Sequence, residues 1–231
     1  PETGLMCVDA LKRKLAKAEK EGKLPKIVIT VHLCGSSCDM QEIKSLSEKY
    51  GFLIVEDASH ALGGAYKSEK VGSCKFSDIT VFSFHPVKII TTGEGGVATT
   101  NDVELAVKMK MLRSHGITKE REKFVDGQRE EWEYEQQMLG FNYRMSDIQA
   151  ALGRSQLKKL NKFIKSREKI YEKYKVLEKD GINLLKPPNN TESAHHLCML
   201  KTGKKQRHVY NYMRKKGILV QVHYAPVHLQ P

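Results

Sequence analysis

Lys88 stands apart from most of the chain's 39 lysines and arginines, which lie in polar runs. It sits in VFSFHPVKIITTGEGG (residues 81–96), between an aromatic strand-like stretch and a glycine-rich turn. A lysine amine is a poor nucleophile while protonated. It becomes a reagent when a carbonyl partner traps it as a Schiff base, or when burial lowers its pKa. Pro86 fixes the local turn, and Gly93, Gly95 and Gly96 let backbone approach a bound group closely. Asp57, in VEDASH, follows another apolar run and could be its neighbour across a sheet. A carboxylate beside a Schiff-base lysine is the pair that a pyridoxal phosphate (PLP) enzyme needs, because the acid keeps the pyridine nitrogen protonated. Ser83 adds a hydroxyl that could bind a phosphate. On pattern alone other readings stay open: Asp57 could cap a helix or bind a metal, and Lys88 could be an ordinary surface lysine.

The remaining candidate chemistry is thin. The five cysteines (7, 34, 38, 74 and 198) are scattered. Cys34 and Cys38 form a C-x3-C pair, but no second pair follows at metal-finger spacing. The reading is buried thiols in a reducing compartment and no metal. Asn189-Asn190-Thr191 matches a glycosylation sequon, which means little without a secretion signal. The net charge of +12 suits either a polyanion partner or a solvated lysine-rich surface. Acids are interleaved with the bases, and no nucleic-acid motif accompanies them, so no nucleic-acid partner is expected. No apolar run approaches the ~18–20 residues of a membrane span. The opening PETGLMCVDA has neither the basic nor the apolar region of a signal peptide, so a cytoplasmic protein without a membrane partner is expected.

The elements that must position Lys88 and Asp57 read as α/β. Leu5, Val8, Leu11, Leu15 and Ala18 recur at helical spacing until Gly22. KIVITV (26–31) reads as a buried strand. Asp39 caps a helix through Tyr50 that Gly51 stops, and FLIV (52–55) is a second buried strand. Strand, helix and strand within so few residues form a parallel βαβ unit, whose strands are covered on both faces. The ends of its strands are where ligand sites lie in such sheets. Ile79–Phe84 and Val97–Thr100 are further strands, and Asn101-Asp102 caps a helix reaching Arg113. Residues 118–137 are polar and read as an exposed loop. Ser146 or Asp147 caps a helix from Ile148 to about Leu177 that is expected to bridge two domains. Strands at 195–201 and 218–224 around a helix at 206–216 begin a second α+β unit. The expected division is a large domain over 1–145, a connecting helix over 146–178 and a partial small domain over 179–231.

Three long stretches carry a resemblance. VEDASHALGGAYKSEKVGS followed by SDITVFSFHPVKIITTGEGGVATTND, LRSHGIT (112–118) and YEQQMLGFNYRMSDIQAALG (134–153) closely resemble the DegT/DnrJ/EryC1/StrS sugar aminotransferases. The resemblance runs over nearly the whole chain, and the stretch GLMCVDALKRKL with EGKLPKIVITVHLCGSSCDM is similar to the branch serving pseudaminic acid synthesis. It implies the PLP-dependent transferase fold type I, a mostly parallel central sheet with helices on both faces and a small C-terminal α+β domain. Lys88 would hold PLP and shuttle a proton. Asp57 would pair with the pyridinium nitrogen, His60 would lie by the ring, and Ser83 would bind the phosphate. Asn142 would reach the phosphate of a neighbouring subunit, which implies a homodimer with shared sites. His228 would lie near the nucleotide sugar. The implied reaction moves an amino group from L-glutamate to C4 of a UDP-linked 4-keto-6-deoxy sugar. A sibling group that dehydrates sugars carries His in place of the lysine, so Lys88 argues against dehydration.

The chain also departs from the family pattern. It is expected to be a fragment lacking the N-terminal third, with its phosphate-binding helix start and ring cover, and the C-terminal end. Leu33-Cys34 and Ser36 stand where relatives often have Phe-Ala/Ser and Gln, and Ile89 stands where Asn is usual. The alternative is therefore a non-catalytic fragment or homologue that binds cofactor or sugar nucleotide weakly. The expectation is that the chain alone neither folds stably nor turns over.

Overall fold

The computed structural model describes residues 2–125 and 130–231, without the side chains of Arg121 and His228. The chain opens with α1 (Val8–Lys20), β1 (Ile27–Val31), α2 (Met40–Tyr50) and β2 (Leu53–Asp57). Asp39 caps α2 by accepting the Glu42 N–H. Gly51 closes the helix through its N–H on the Ser47 carbonyl. The crossover through α2 places β2 beside β1 in parallel, with Val31 opposite Asp57.

Two short strands follow, β3 (Ala65–Tyr66) and β4 (Glu69–Lys70), and then β5 (Ile79–Ser83) and β6 (Gly96–Thr99). The main sheet runs β1-β2-β5-β6. β5 pairs with β2 in parallel, bringing Val81 opposite Asp57, and β6 closes the sheet antiparallel with Gly96 opposite Ser83. The ends of β2 and β5 therefore lie side by side on one edge. α1 and α2 bring Leu15, Met40, Ile43 and Leu46 against Val28, Phe52 and Ile54, which form the main buried cluster. The other face of the first two strands differs from expectation. Ile27, Ile29 and Val31 alternate with buried Val28 and Thr30 and are 52%, 58% and 45% exposed. With period-2 alternation, only the α1–α2 side of β1 is covered among the described residues.

After α3 (Val103–Arg113), the pair β7 (Ile117–Thr118) and β8 (Glu135–Gln136) ties the base of the loop expected over 118–137, of which 126–129 lie outside the described residues. The helix expected from 148 to 177 is two helices, α4 (Asp147–Leu157) and α5 (Leu160–Lys175), followed by a 3-10 turn at Val176–Asp180. Ser146 caps α4 in a box with Gln149. The break falls at Lys158-Lys159, where the Lys159 N–H turns to the Gln156 carbonyl. It lets α5 lay Leu160 and Ile164 against Gly63, where any side chain would collide with them. The last elements are β9 (Asn183–Leu184), β10 (Thr191–Glu192), β11 (Leu200–Lys201) and α6 (Gln206–Lys215). The strand expected over 195–201 is thus only its last two residues, and 218–224 forms none. β10 instead joins β3 and β4, and β11 pairs with β9. Among the described residues no helix is long and apolar enough to cross a membrane.

Candidate active site

Asp57 ends β2, and its Oδ1 accepts the Ser59 N–H at 3.1 Å. The chain then turns inward: Ala58 gives its N–H to the Val81 carbonyl, Ala58 and Ala61 are fully buried, and His60 between them is 7% exposed. Lys88 arrives from the end of β5 on a loop that folds back on itself. The Phe84 N–H bonds the Gly95 carbonyl, and the Phe84 carbonyl accepts the Thr92 N–H and the Thr91 hydroxyl. Ile89 and Ile90 are buried and anchor the loop immediately after Lys88. Ile89 thus fills the position expected to be polar with an apolar anchor. From outside, the Gln149 side chain of the α4 cap donates to the Glu94 carbonyl at 3.0 Å. Lys88 is held by a closed loop with a helix cap against it.

The electrostatics join these pieces. Burial pushes the Lys88 amine below the ordinary lysine range, and the Asp57 carboxylate opposes that shift. Burial, with Lys88 and His223 nearby, pulls His60 down to about 4, while Asp57 acts the other way. At neutral pH His60 is a neutral imidazole, and its buried Nδ1 has no partner among the described residues. Asp57, His60 and Lys88 therefore share one field, as three of the six expected site residues. Ser83 stands at the end of β5, where its hydroxyl accepts the His85 N–H at 3.4 Å. Asn142 is exposed, bridged to Ser114 and set between Phe141 and Tyr143, whose rings stack at 4.8 Å. No contact joins Asn142 to Lys88 among the described residues. His228 lies on the 3-10 turn Val227–Leu229, with its side chain outside the described structure.

Sequence reasoning missed part of this cluster. The segment 193–196 crosses the 33–36 turn, with the Ala194 N–H on the Gly35 carbonyl and the His196 N–H on the Cys34 carbonyl. Gly35, at φ 102°, allows the crossing: a Cβ there would sit 2.8 Å from the His195 nitrogen. The crossing stacks His196 on His60, with ring centroids 4.3 Å apart, and Tyr224 lies 6.4 Å from His60. Adjacent histidines at 195–196 and the His223-Tyr224 pair were the only available signals, and neither carries a recognisable spacing. A cavity of about 740 Å³ lies elsewhere, between α5 and residues 186–195.

The residues present fit PLP. A part-desolvated amine can condense with an aldehyde, a carboxylate at the neighbouring strand end can hold a ring N–H, and the orphaned His60 Nδ1 is a polar group awaiting use. Lys88, Asp57 and His60 would hold the group, and the strand-end position is the usual one for ligands in open α/β sheets.

Comparison with known proteins gives the family. The chain is 40% identical over 223 residues to UDP-4-amino-4,6-dideoxy-N-acetyl-beta-L-altrosamine transaminase of Campylobacter jejuni, covering 94% of this chain and 56% of that protein. It is 36% identical over 215 residues to GDP-perosamine synthase of Caulobacter vibrioides, covering 89% and 54%. The solved structure of Helicobacter pylori PseC, an aminotransferase involved in the biosynthesis of pseudoaminic acid, superposes with a TM-score of 0.86 at 34% identity, covering 99% of this chain and 59% of that one. The chain thus spans about half the length of the curated relatives it matches. Its α/β sheet is that of fold type I. The match to the DegT/DnrJ/EryC1/StrS aminotransferase family extends over residues 1–231, and the chain belongs to that family.

Proposed function

We propose that the protein transfers an amino group from L-glutamate to C4 of a UDP-linked 4-keto-6-deoxy sugar, with PLP as cofactor. The observation that carries the reading is the cluster of Lys88, Asp57 and His60 at adjoining strand ends. PLP, when bound, supplies an electron sink for the carbon that gains and loses a proton. Lys88 Nζ anchors the cofactor and then carries that proton, a task its lowered pKa suits. The Asp57 carboxylate holds the ring nitrogen protonated. His60 offers a neutral imidazole beside the ring. Ser83 takes a phosphate oxygen with its hydroxyl, and His228 serves the sugar.

Asn142 is exposed, and its sequence neighbours Phe141 and Tyr143 are exposed and stack on each other, which suits a residue serving a second copy's phosphate in a homodimer. We read residues 1–145 as the cofactor domain, 146–178 as the connection and 179–231 as part of a small domain. Five unpaired cysteines suit a reducing cytoplasm. A second reading, a cofactor-binding but inactive form, is favoured by the bare face of β1.

The test is an absorbance spectrum after PLP is added to the protein and to Lys88→Ala. A band near 410–430 nm, roughly where such lysine adducts absorb, is expected only with Lys88, with borohydride fixing the label on that residue. A folded protein with no band, or a band that survives Lys88→Ala, overturns the lysine assignment. Amino transfer from glutamate to the sugar then separates the active from the inactive reading.

A further inference from the structure

His196 is 8% exposed and held at both ends of its peptide unit. Its N–H bonds the Cys34 carbonyl at 2.8 Å, and its carbonyl accepts Arg167 Nη1 at 3.2 Å. The ring has no such tie, since its Nδ1, like that of His60, is buried without a partner among the described residues. The two rings meet at 4.3 Å with 46° between their planes. We propose that His196 is a positioning residue for His60: clamped by Cys34 and Arg167, its ring packs on the His60 imidazole, fixes its plane and keeps water from that face of it.

The groups facing this pair come from four places. Asp57 and His60 come from the end of β2, Lys88 from the loop after β5, Arg167 from α5, and His223 with Tyr224 from the C-terminal segment. All but Asp57 and Tyr224 are cationic or become so on protonation. A proton on either stacked ring would therefore sit among like charges in a dry place. Burial first, then His60, Lys88, Arg167 and His223, bring His196 down to about 3. The pair is a neutral, buried stack that supplies no counter-charge to the lysine. Asp57 remains the one acid facing Lys88 in this group.

The proposal rests on the cofactor reading for what Lys88 holds, but its main test does not. The His60 imidazole is titrated by NMR in the cofactor-free protein, in His196→Phe and in His196→Ala. With His196→Ala, water enters, and the His60 midpoint is expected to rise by about one pH unit or more toward its ordinary value. His196→Phe keeps a dry ring against His60 and is expected to leave the midpoint low. If His196→Ala unfolds the protein, His196→Gln, polar but ringless, takes its place with the same expectation. An unmoved midpoint in the ringless variant, or an equal rise in His196→Phe, overturns the proposal. In the PLP-treated proteins the Lys88-dependent band should change its pH dependence in the ringless variant and not in His196→Phe. Absence of any band from the unsubstituted protein would count against the cofactor reading, while the His60 titration would still decide the role of His196.

Discussion

A buried acid one residue before Asp57 sets the local frame of the site. Glu56 is 5% exposed and receives His32 Nε2–H at 2.6 Å, the Thr80 hydroxyl at 3.0 Å and the Ser77 hydroxyl. The ring proton of His32 belongs on Nε2, because its Nδ1 already accepts the Cys38 N–H at 3.2 Å. Burial alone would raise the Glu56 pKa, but the bonds and charge of His32 and the bonds from Ser77 and Thr80 bring it below the ordinary carboxylate range. The sign of the linkage follows. A depressed carboxylate contributes stability that is complete above its unfolded value and is lost as pH falls through its folded value. Glu56→Gln is expected to lose about 1–3 kcal/mol at pH 7, because the carboxylate accepts hydrogen bonds on both oxygens and the amide offers only one acceptor oxygen and no charge. It is also expected to flatten the loss of stability below pH 4.5. Urea titrations of both proteins at pH 7 and below 4.5 check this. An equal penalty at both pH values would mean that Glu56 acts through packing alone. Asp57 and Lys88 were legible in the sequence because a strand end and a glycine turn announce themselves locally. Glu56 was not, because its partners His32, Ser77 and Thr80 come together only through the sheet register.

The elements carry the site through close crossings rather than through long helices. The α2 crossover was readable from Asp39 and Gly51, since both caps lie in the sequence next to what they cap. The break between α4 and α5 was not, because the amphipathic pattern runs through Lys158-Lys159 and only Gly63, far back in the chain, shows why α5 must turn. The crossing of 194–196 over Gly35 was equally hidden. Gly35→Ala is expected to destabilise the protein by about 1–3 kcal/mol, since the new methyl meets backbone rather than a movable side-chain end and φ 102° is costly for alanine. The same change should loosen His196 and raise the His60 midpoint as His196→Ala does. Chemical denaturation and the His60 titration read the two effects separately. Full stability in Gly35→Ala would show that 194–196 docks elsewhere.

At the scale of the whole chain, the described residues cover one side of the first two strands and leave the other bare. Leu15, Ile43 and Ile54 are almost completely buried under α1 and α2, while Ile27, Ile29, Val31 and Leu53 remain 45–58% exposed on the opposite face. β1 is also an edge strand of this sheet among the described residues. An apolar face joined to an open strand edge is a surface on which like molecules associate. Continuous apolar runs such as KIVITV announced strands covered on both faces, and their composition still fits that environment better than the exposure seen here. The chain is therefore expected to associate with increasing concentration, as followed by sedimentation velocity. Ile29→Lys changes a residue that is already 58% exposed, so it should cost the core little while placing a charge in the middle of the bare face and beside the open edge. It is expected to shift the chain toward monomer without lowering its unfolding midpoint. Association that persists unchanged in Ile29→Lys would move the sticky surface to the aromatic stretch around Leu139, Phe141 and Tyr143. That stretch is also well exposed, and there Tyr143→Glu would be the variant that separates the copies.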